Sequence, residues 1–295
     1  MKILNFGSCN IDFVYSVDTM VNPGETISAK SVEKFPGGKG LNQSIACARA
    51  GVPVFHAGHI GGDGEFLREI MKISGVDTRY LKTIDNLTGH AIIQVTPNGE
   101  NSIIVYGGAN EEITKEYVDE ILLNFSENDF IVLQNEISEI PYIIEKASEI
   151  GMKIVLNPSP FNERIKFIDF DKLSYLILNE HEAESLSGKI EKDDFVKWCR
   201  KNYPNLTVIL TLGKQGSIYF DKDVEISQDA YKVIAVDTTA AGDTFTGFFF
   251  ASICKGETPQ NALKIASMAS AISVTKKGAA SSIPMIDEVT NKINR

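Results

Sequence analysis

Short apolar runs that take turns with helical patterns constrain this chain more than any other feature. "KILNFG" precedes "GLNQSIACARAG", "VFHAGHIG" precedes "EFLREIMKISG", "FIVLQ" precedes "EIPYIIEKASEIG", and "YLILN" precedes "EHEAESLSG". "KIVLN" and "TVILTLG" repeat the strand signature. Such alternation predicts an α/β fold with a mainly parallel central sheet and helices on both faces. Ligands of these sheets gather at the carboxyl ends of the strands. The polar signals fall there: Asn10 and Asp12 after the first run, Asn135 and Glu136 after "FIVLQ", Asn157 after "KIVL", Asn179 and Glu180 after "YLIL", and Gly213 after "TVILTL".

Two stretches break the pattern. "FVYSVD" with "ETISAKSVEKF", and then "HAIIQVTPNGENSIIVY", alternate with period two, and "PNGE" is a strong hairpin turn because Asn-Gly readily adopts positive φ. Both flank loops at the strand ends, so they are expected to form one small antiparallel sheet standing over those ends as a lid, from segments at about 13–35 and 88–107. An edge extension of the main sheet is the alternative. No internal repeat, low-complexity segment or Pro/Gly-rich linker divides the sequence, so residues 1–295 are expected to form a single domain carrying the lid as insertions.

Composition narrows the partners. The 295 residues are 43% hydrophobic and 23% charged, ordinary values for a globular chain able to bury a substantial core. Lys and Arg total 29 against 39 Asp and Glu, a net charge of −10, which argues against nucleic acid. An anionic ligand would have to be held by local N–H groups, a few cations or a metal. Cys9, Cys47, Cys199 and Cys254 lack CxxC or Cys/His spacing, and "MKILNFG" reads as a strand entering a Gly turn rather than as a signal peptide. No apolar run approaches the roughly 20 residues of a membrane span. A cytoplasmic protein with reduced thiols is expected. His56, His59, His90 and His181 are too scattered to suggest a zinc site.

Several motifs each admit two readings. "DTTAAGDTF" at 237–245 leads into the apolar "TGFFFASICKGE", so Asp243 is either a helix cap or a base beside a phosphate held at the helix start. "PGGKGLNQS" at 36–44 is either a sharp turn with a solvated lysine or a backbone approach to a ligand, and it is not a Walker A loop. "TLGKQGS" at 211–217 reads as a Gly turn between strands, "NEHEAE" at 179–184 as an Asn cap with a solvated acidic first turn, and "TKKGAASSIP" at 275–284 as a helix C-terminus stopped by Gly278.

Together and in this order, "NID" at 10–12, "GGKGLNQ" at 37–43, "NPSP" at 157–160, "NEHEAE", "TLGKQG", "DTTAAGDTF" and "KKGAASSIP" resemble the ribokinase, or PfkB, family of carbohydrate kinases, over about residues 3–285. Leu41 stands where that family commonly has Ala. The resemblance implies a ribokinase-like three-layer sandwich with a small β lid, and ATP-dependent phosphorylation of a sugar's primary hydroxyl, with ribose the expected acceptor. Deoxyribose, another sugar or a nucleoside are the nearest alternatives. A sensor without turnover is a more distant one, and a dehydrogenase is disfavoured because no GxGxxG follows the first strand.

The same resemblance assigns roles. It makes Asp243 the catalytic base and Ala240, Ala241 and Gly242 an anion hole. Asn10, Asp12, Gly38, Lys39, Asn42 and Glu136 would bind the sugar; Asn179, Thr211, Gly213 and Gly216, with Gly242, would bind the nucleotide. Glu182 would be linked to Mg2+, and Asp237, Thr239, Ser273, Lys276, Gly278 and Ser282 to an activating K+. Ser267 stands where ribokinases often carry His near the adenine. A homodimer formed through the lid is the implied assembly.

Overall fold

The computed structural model describes residues 1–294. Its strands are β1 (Ile3–Phe6), β2 (Asn10–Ser16), β3 (Ser31–Gly37), β4 (Val54–Gly61), β5 (Asp77–Ile84), β6 (Gly89–Val95), β7 (Asn101–Tyr106), β8 (Phe130–Gln134), β9 (Lys153–Asn157), β10 (Tyr175–Asn179), β11 (Thr207–Thr211), β12 (Ser217–Phe220) and β13 (Glu225–Gln228). Its α-helices are α1 (Lys39–Arg49), α2 (Glu65–Ile73), α3 (Lys115–Leu122), α4 (Ile140–Ile150), α5 (Glu180–Ser187), α6 (Lys192–Asn202), α7 (Ala241–Cys254), α8 (Pro259–Ser273) and α9 (Ile286–Ile293).

A nine-stranded sheet runs in the order β13-β12-β11-β10-β9-β8-β1-β4-β5. It is parallel from β5 across to β11, and β12 and β13 close that edge antiparallel. Successive side chains of a strand point to opposite faces, so strands covered on both sides read as unbroken apolar runs. Ile3, Phe130, Val132, Val155 and Ile177 pack against α1, α2, α7 and α8, whereas Leu4, Phe6, Ile131, Leu133 and Leu156 pack against α3, α4 and α6. The expected α/β sandwich is therefore present. The runs at β5, β12 and β13 and the helices α3, α6, α8 and α9 extend it beyond the segments that alternation marked.

The second sheet is separate and four-stranded, in the order β3-β2-β6-β7. It rises from the main sheet where Gly7, Ser8 and Cys9 carry β1 into β2. The hairpin at Asn98-Gly99 joins β6 to β7 as expected, with Gly99 at φ 85. One expectation needs correction: β2 and β6 pair in parallel, so the sheet is mixed rather than antiparallel throughout. The reason is connectivity, because both strands leave the body of the molecule in the same direction and each then pairs antiparallel with its own returning partner. This sheet leaves Val32, Phe35, Ile103, Ile104, Val105 and Tyr106 exposed.

Helices α1 and α7 cross in direct backbone contact. A Cβ on Gly247 would run into the Ala46 methyl, and one on Gly40 would run into the main chain of Gly7 and Ser8. These two glycines let α1 settle between β1 and α7, which carries its first turn to the start of α7. No described helix is long and apolar enough to cross a membrane.

Candidate active site

Asp243 lies in the first turn of α7 and is 9% exposed. It does not cap its own helix. The N-cap is Ala240, held in the left-handed region at φ 58, with no side-chain cap. The Asp243 carboxylate turns instead towards α1, where Oδ2 accepts from Asn42 Nδ2 and Oδ1 from Gln43 Nε2, both at 3.0 Å. Of the three expected anion-hole amides, that of Ala241 donates to Thr238 O at 3.2 Å. Those of Ala240 and Gly242 have no protein acceptor among the described residues. The helix therefore starts with N–H donors and a positive dipole end beside a buried acid.

On one side of Asp243 lie the residues expected to hold the sugar. Gly38, at φ 92, brings the chain against Asn10, and a Cβ on Gly37 would collide with the Asp12 carboxylate. Asn110 Nδ2 donates to Asn10 Oδ1 at 2.7 Å, which leaves the Asn10 amide nitrogen as the outward donor. Glu136 Oε2 accepts from the Lys39 N–H at 2.9 Å and from the Ser8 hydroxyl. Asn42 Oδ1 is buried without a protein partner.

Charge in this region is tightly coupled. Burial, then the charge of Glu136, pushes the Asp12 carboxyl up to about 6. Burial also raises Glu136, against the opposing pull of Lys39, the Ser8 hydroxyl and the Lys39 N–H. Burial acts to lower Lys39, but Asp243, Glu136 and Glu182 outweigh it and the ammonium is held more firmly than usual. One lysine thus serves as counter-charge to three carboxylates.

Asp243 also lines a cleft of about 220 Å³, together with Lys39, Asn179, Glu182, Thr211, Thr238 and Gly242 among others. Asn179 and Glu182 form a reciprocal capping box on α5: Asn179 Oδ1 accepts from the Glu182 N–H and Glu182 Oε2 from the Asn179 N–H, both at 3.0 Å. The cap was legible in "NEHEAE", but Glu182 is buried rather than solvated. Gly213 and Gly216, at φ 51 and 105, shape the turn from β11 to β12 and do not line this cleft.

The expected cation loops do meet. Asp237 Oδ1 accepts from the Thr239 N–H at 2.9 Å and its hydroxyl at 2.6 Å, and Oδ2 from the Gly278 N–H at 2.9 Å. Burial would raise Asp237, but these bonds and Lys277 hold it below its ordinary value. Ser273 and Ser282 are fully buried, their hydroxyls donating to Ser270 O and Ala279 O at 2.8 Å. Lys276 Nζ is turned away to Glu288, at 2.9 and 3.0 Å, so only its carbonyl could face a cation. Gly278, at φ 86, lies beyond the end of α8 at Ser273 rather than stopping that helix.

Sequence reasoning did not single out Ser8, Asn110, Gln43 or Gln134, which orient Glu136, Asn10 and Asp243. Their signal is spatial. Asn110 reaches Asn10 across 100 positions and Gln43 reaches Asp243 across 200.

Raised acid pKa values leave a measurable trace. The folded state binds a proton at Asp12 that the unfolded chain releases, so ionising Asp12 costs stability as pH rises from about 4 through about 6. The cost is fully present above that window and absent below it. Asp12→Asn should therefore raise the Tm relative to the parent at pH 8, with the gain shrinking by pH 4. A gain that is constant or largest at pH 4 contradicts the assignment.

The same geometry has relatives. Residues 1–286 match the pfkB family carbohydrate kinase. The chain is 40% identical to a ribokinase of Staphylococcus aureus, with 98% of each chain covered, and 30% identical to a deoxyribokinase of Salmonella typhi, with 98% of this chain and 97% of that one covered. Its backbone superposes with TM-score 0.88 on an Arabidopsis thaliana ribokinase complexed with ribose and ATP, at 29% identity over 100% of this chain and 99% of that one. With a buried acid at a helix start, held by Asn42 and Gln43 and lining a cleft, and with residues 1–286 matched, the chain belongs to the pfkB family of carbohydrate kinases.

Proposed function

We propose that this kinase transfers the γ-phosphoryl group of ATP to the primary hydroxyl of D-ribose, giving D-ribose 5-phosphate and ADP. The observation that carries the reading is the position of Asp243, bonded to Asn42 and lining the cleft at the uncapped start of α7. Asp243 takes the hydroxyl proton as the sugar oxygen forms its bond to the γ-phosphorus and the bond from that phosphorus to the β–γ bridging oxygen breaks. An alcohol is far too weak an acid to ionise first, so the base must lie within hydrogen-bond reach while transfer proceeds. The Gly242 and Ala240 N–H groups and the α7 dipole face charge developing on the phosphoryl oxygens. Lys39 adds a fixed positive charge between pocket and cleft.

The polar residues around the pocket fit a hydroxyl-rich ligand. Asn10, Asp12, Asn42, Lys39 and Glu136 offer both donors and acceptors, and Asn42 Oδ1 awaits a donor. The Staphylococcus and Arabidopsis relatives support ribose, and the Salmonella relative supplies the second reading, 2-deoxyribose. A site left with one buried group unsatisfied loses about 1–3 kcal/mol, so ribose should lead 2-deoxyribose in kcat/KM by roughly tenfold or more. Asp243→Asn should lower kcat at least about a hundredfold with nucleotide binding retained. A coupled ADP-release assay over pentoses, hexoses and nucleosides checks both statements. A lead for deoxyribose, a hexose or a nucleoside overturns ribose as substrate, and near-parental turnover of folded Asp243→Asn overturns the base.

The chain acts as one kinase domain, with segments 13–35 and 88–107 as the lid that excludes water. Its setting is the cytoplasm, where ATP is held and its four buried cysteines stay reduced. Buried Glu182 suits Mg2+ held through water, since that ion keeps several waters when bound by carboxylates and phosphates, and it would neutralise phosphate charge. Asp237 with the carbonyls of the 273–282 loop offers oxygen donors suited to K+, which would add positive field beside the start of α7. Replacing a bulky organic cation by K+ at constant ionic strength should raise kcat; a flat response excludes the cation site.

The exposed apolar strands of the lid also need a cover. Val32, Ile92 and Ile104 are exposed on the face of the lid opposite Asp12, a surface that a second copy of this chain would bury by two-fold pairing. Light scattering after gel filtration should give a dimer for the native chain and a monomer for Ile104→Glu. A monomeric native protein removes the proposal.

A further inference from the structure

A file of buried amides leads from the interior of the sheet to Asp243. Asn5 Nδ2 donates to Gly40 O at 2.8 Å, and Asn5 Oδ1 accepts from Gln134 Nε2 at 3.0 Å. The same Gln134 nitrogen donates to Gln43 Oε1 at 2.8 Å, and Gln43 Nε2 donates to Asp243 Oδ1 at 3.0 Å. Asn5, Gln134 and Gln43 are all 0% exposed. Both ends of the file, a backbone carbonyl and a carboxylate, only accept. Every amide between them therefore has a single orientation that pairs its neighbours. Turning Gln43 over would set its oxygen against the carboxylate and its NH2 against that of Gln134.

Core filling does not account for this arrangement. Gln134 Oε1 is buried without a partner, a desolvation cost that an apolar side chain of similar volume would not carry. What the file does accomplish is to present a donor, never an acceptor, to one oxygen of Asp243 while Asn42 holds the other. Two donors on two oxygens fix the carboxylate plane, and a general base works only when its lone pair meets the hydroxyl in a narrow range of directions.

We propose that Gln43 is a positioning residue for the Asp243 carboxylate and that Gln134, braced by Asn5, sets its orientation. The proposal rests on Asp243 being the base. Gln43 touches no reacting atom, and Gln134 acts only through Gln43.

The test uses Gln43→Met and Gln134→Met, which keep volume and remove the amides, in the parent and in Asp243→Ala, with thermal melts confirming a folded protein. Gln43→Met should lower kcat about tenfold or more while KM for ATP moves less than about threefold. Gln134→Met should lower kcat in the same sense, and the double variant should match Gln43→Met alone. On the residual turnover of Asp243→Ala both substitutions should have no effect. Parental kcat in Gln43→Met, additive losses in the double variant, or equal losses without Asp243 each overturn the proposal. If Gln43→Met does not fold, unchanged kcat in Gln134→Met is decisive against it. Full turnover in Asp243→Ala instead removes the base itself, an outcome read separately from the relay.

Discussion

The contact of α1 with α7 at Ala46 and Gly247 is the constraint on which the site depends. At that crossing the two helices approach closely enough for the amides of Asn42 and Gln43 to reach Asp243, and no flexible loop carries either side of the contact. Helix α1 is in turn fixed by Gly40 against Gly7 and Ser8, so the turn that leads into the small sheet and the helix that holds Asp243 are packed directly together. The loops around Lys39 and Glu136 then inherit their positions from regular structure. Placement on packed helices gives a catalytic group the precision that a loop lacks.

An acidic chain that handles an anionic nucleotide must solve an electrostatic problem. Glu136, Glu182 and Asp243 act on Lys39, and together they hold its ammonium more firmly than usual despite burial. One lysine against three carboxylates is not enough by itself to hold phosphate. The N–H groups at the start of α7 offer an attraction for an anion, and on the proposed reading cations at the Asp237 loop and Glu182 would add to it. A sugar hydroxyl donating to Asp12 would offset part of the burial that raises its carboxyl.

What could be read in the sequence was what depends on short windows. The runs "KILNFG", "FIVLQ" and "YLILN" have no polar face because both faces of the sheet are covered, and their ends marked the polar positions Asn10, Glu136 and Asn179 correctly. The Asn98-Gly99 hairpin was equally local. The parallel pairing of β2 with β6 was not, since strand direction depends on how two distant insertions leave the body. "DTTAAGDTF" left a cap and a base both open, because Asp at a helix start caps by local geometry and can equally serve a ligand there. Only the tertiary approach of α1 supplies the donors that draw the carboxylate away. Asn110 lies in no motif, Gln134 only closes an apolar run, and Gln43 lies in "GGKGLNQ" with nothing there to name its partner, since an amide in a sequence does not announce what it will meet.

An uncapped helix start needs its own account, because capping typically contributes about 1 kcal/mol. Helices α3, α5 and α8 take it from Thr114, Asn179 and Thr258, whereas α1, α2, α4, α6 and α9, like α7, have no side-chain cap. Helix α7 forgoes it and adds the left-handed Ala240, a further cost of about 1–2 kcal/mol for a residue with a Cβ. Against this stand Phe248, Phe249 and Phe250, each 0% exposed and each contributing about 1.5–3 kcal/mol on burial. Packing along the body of α7 outweighs the penalty at its start, so the helix does not need its first N–H groups for its own stability. A Ser or Asp at the cap would fill those donors from within. Leaving them bare, and steering Asp243 to α1 instead, keeps both the donors and the carboxylate at the lining of the cleft.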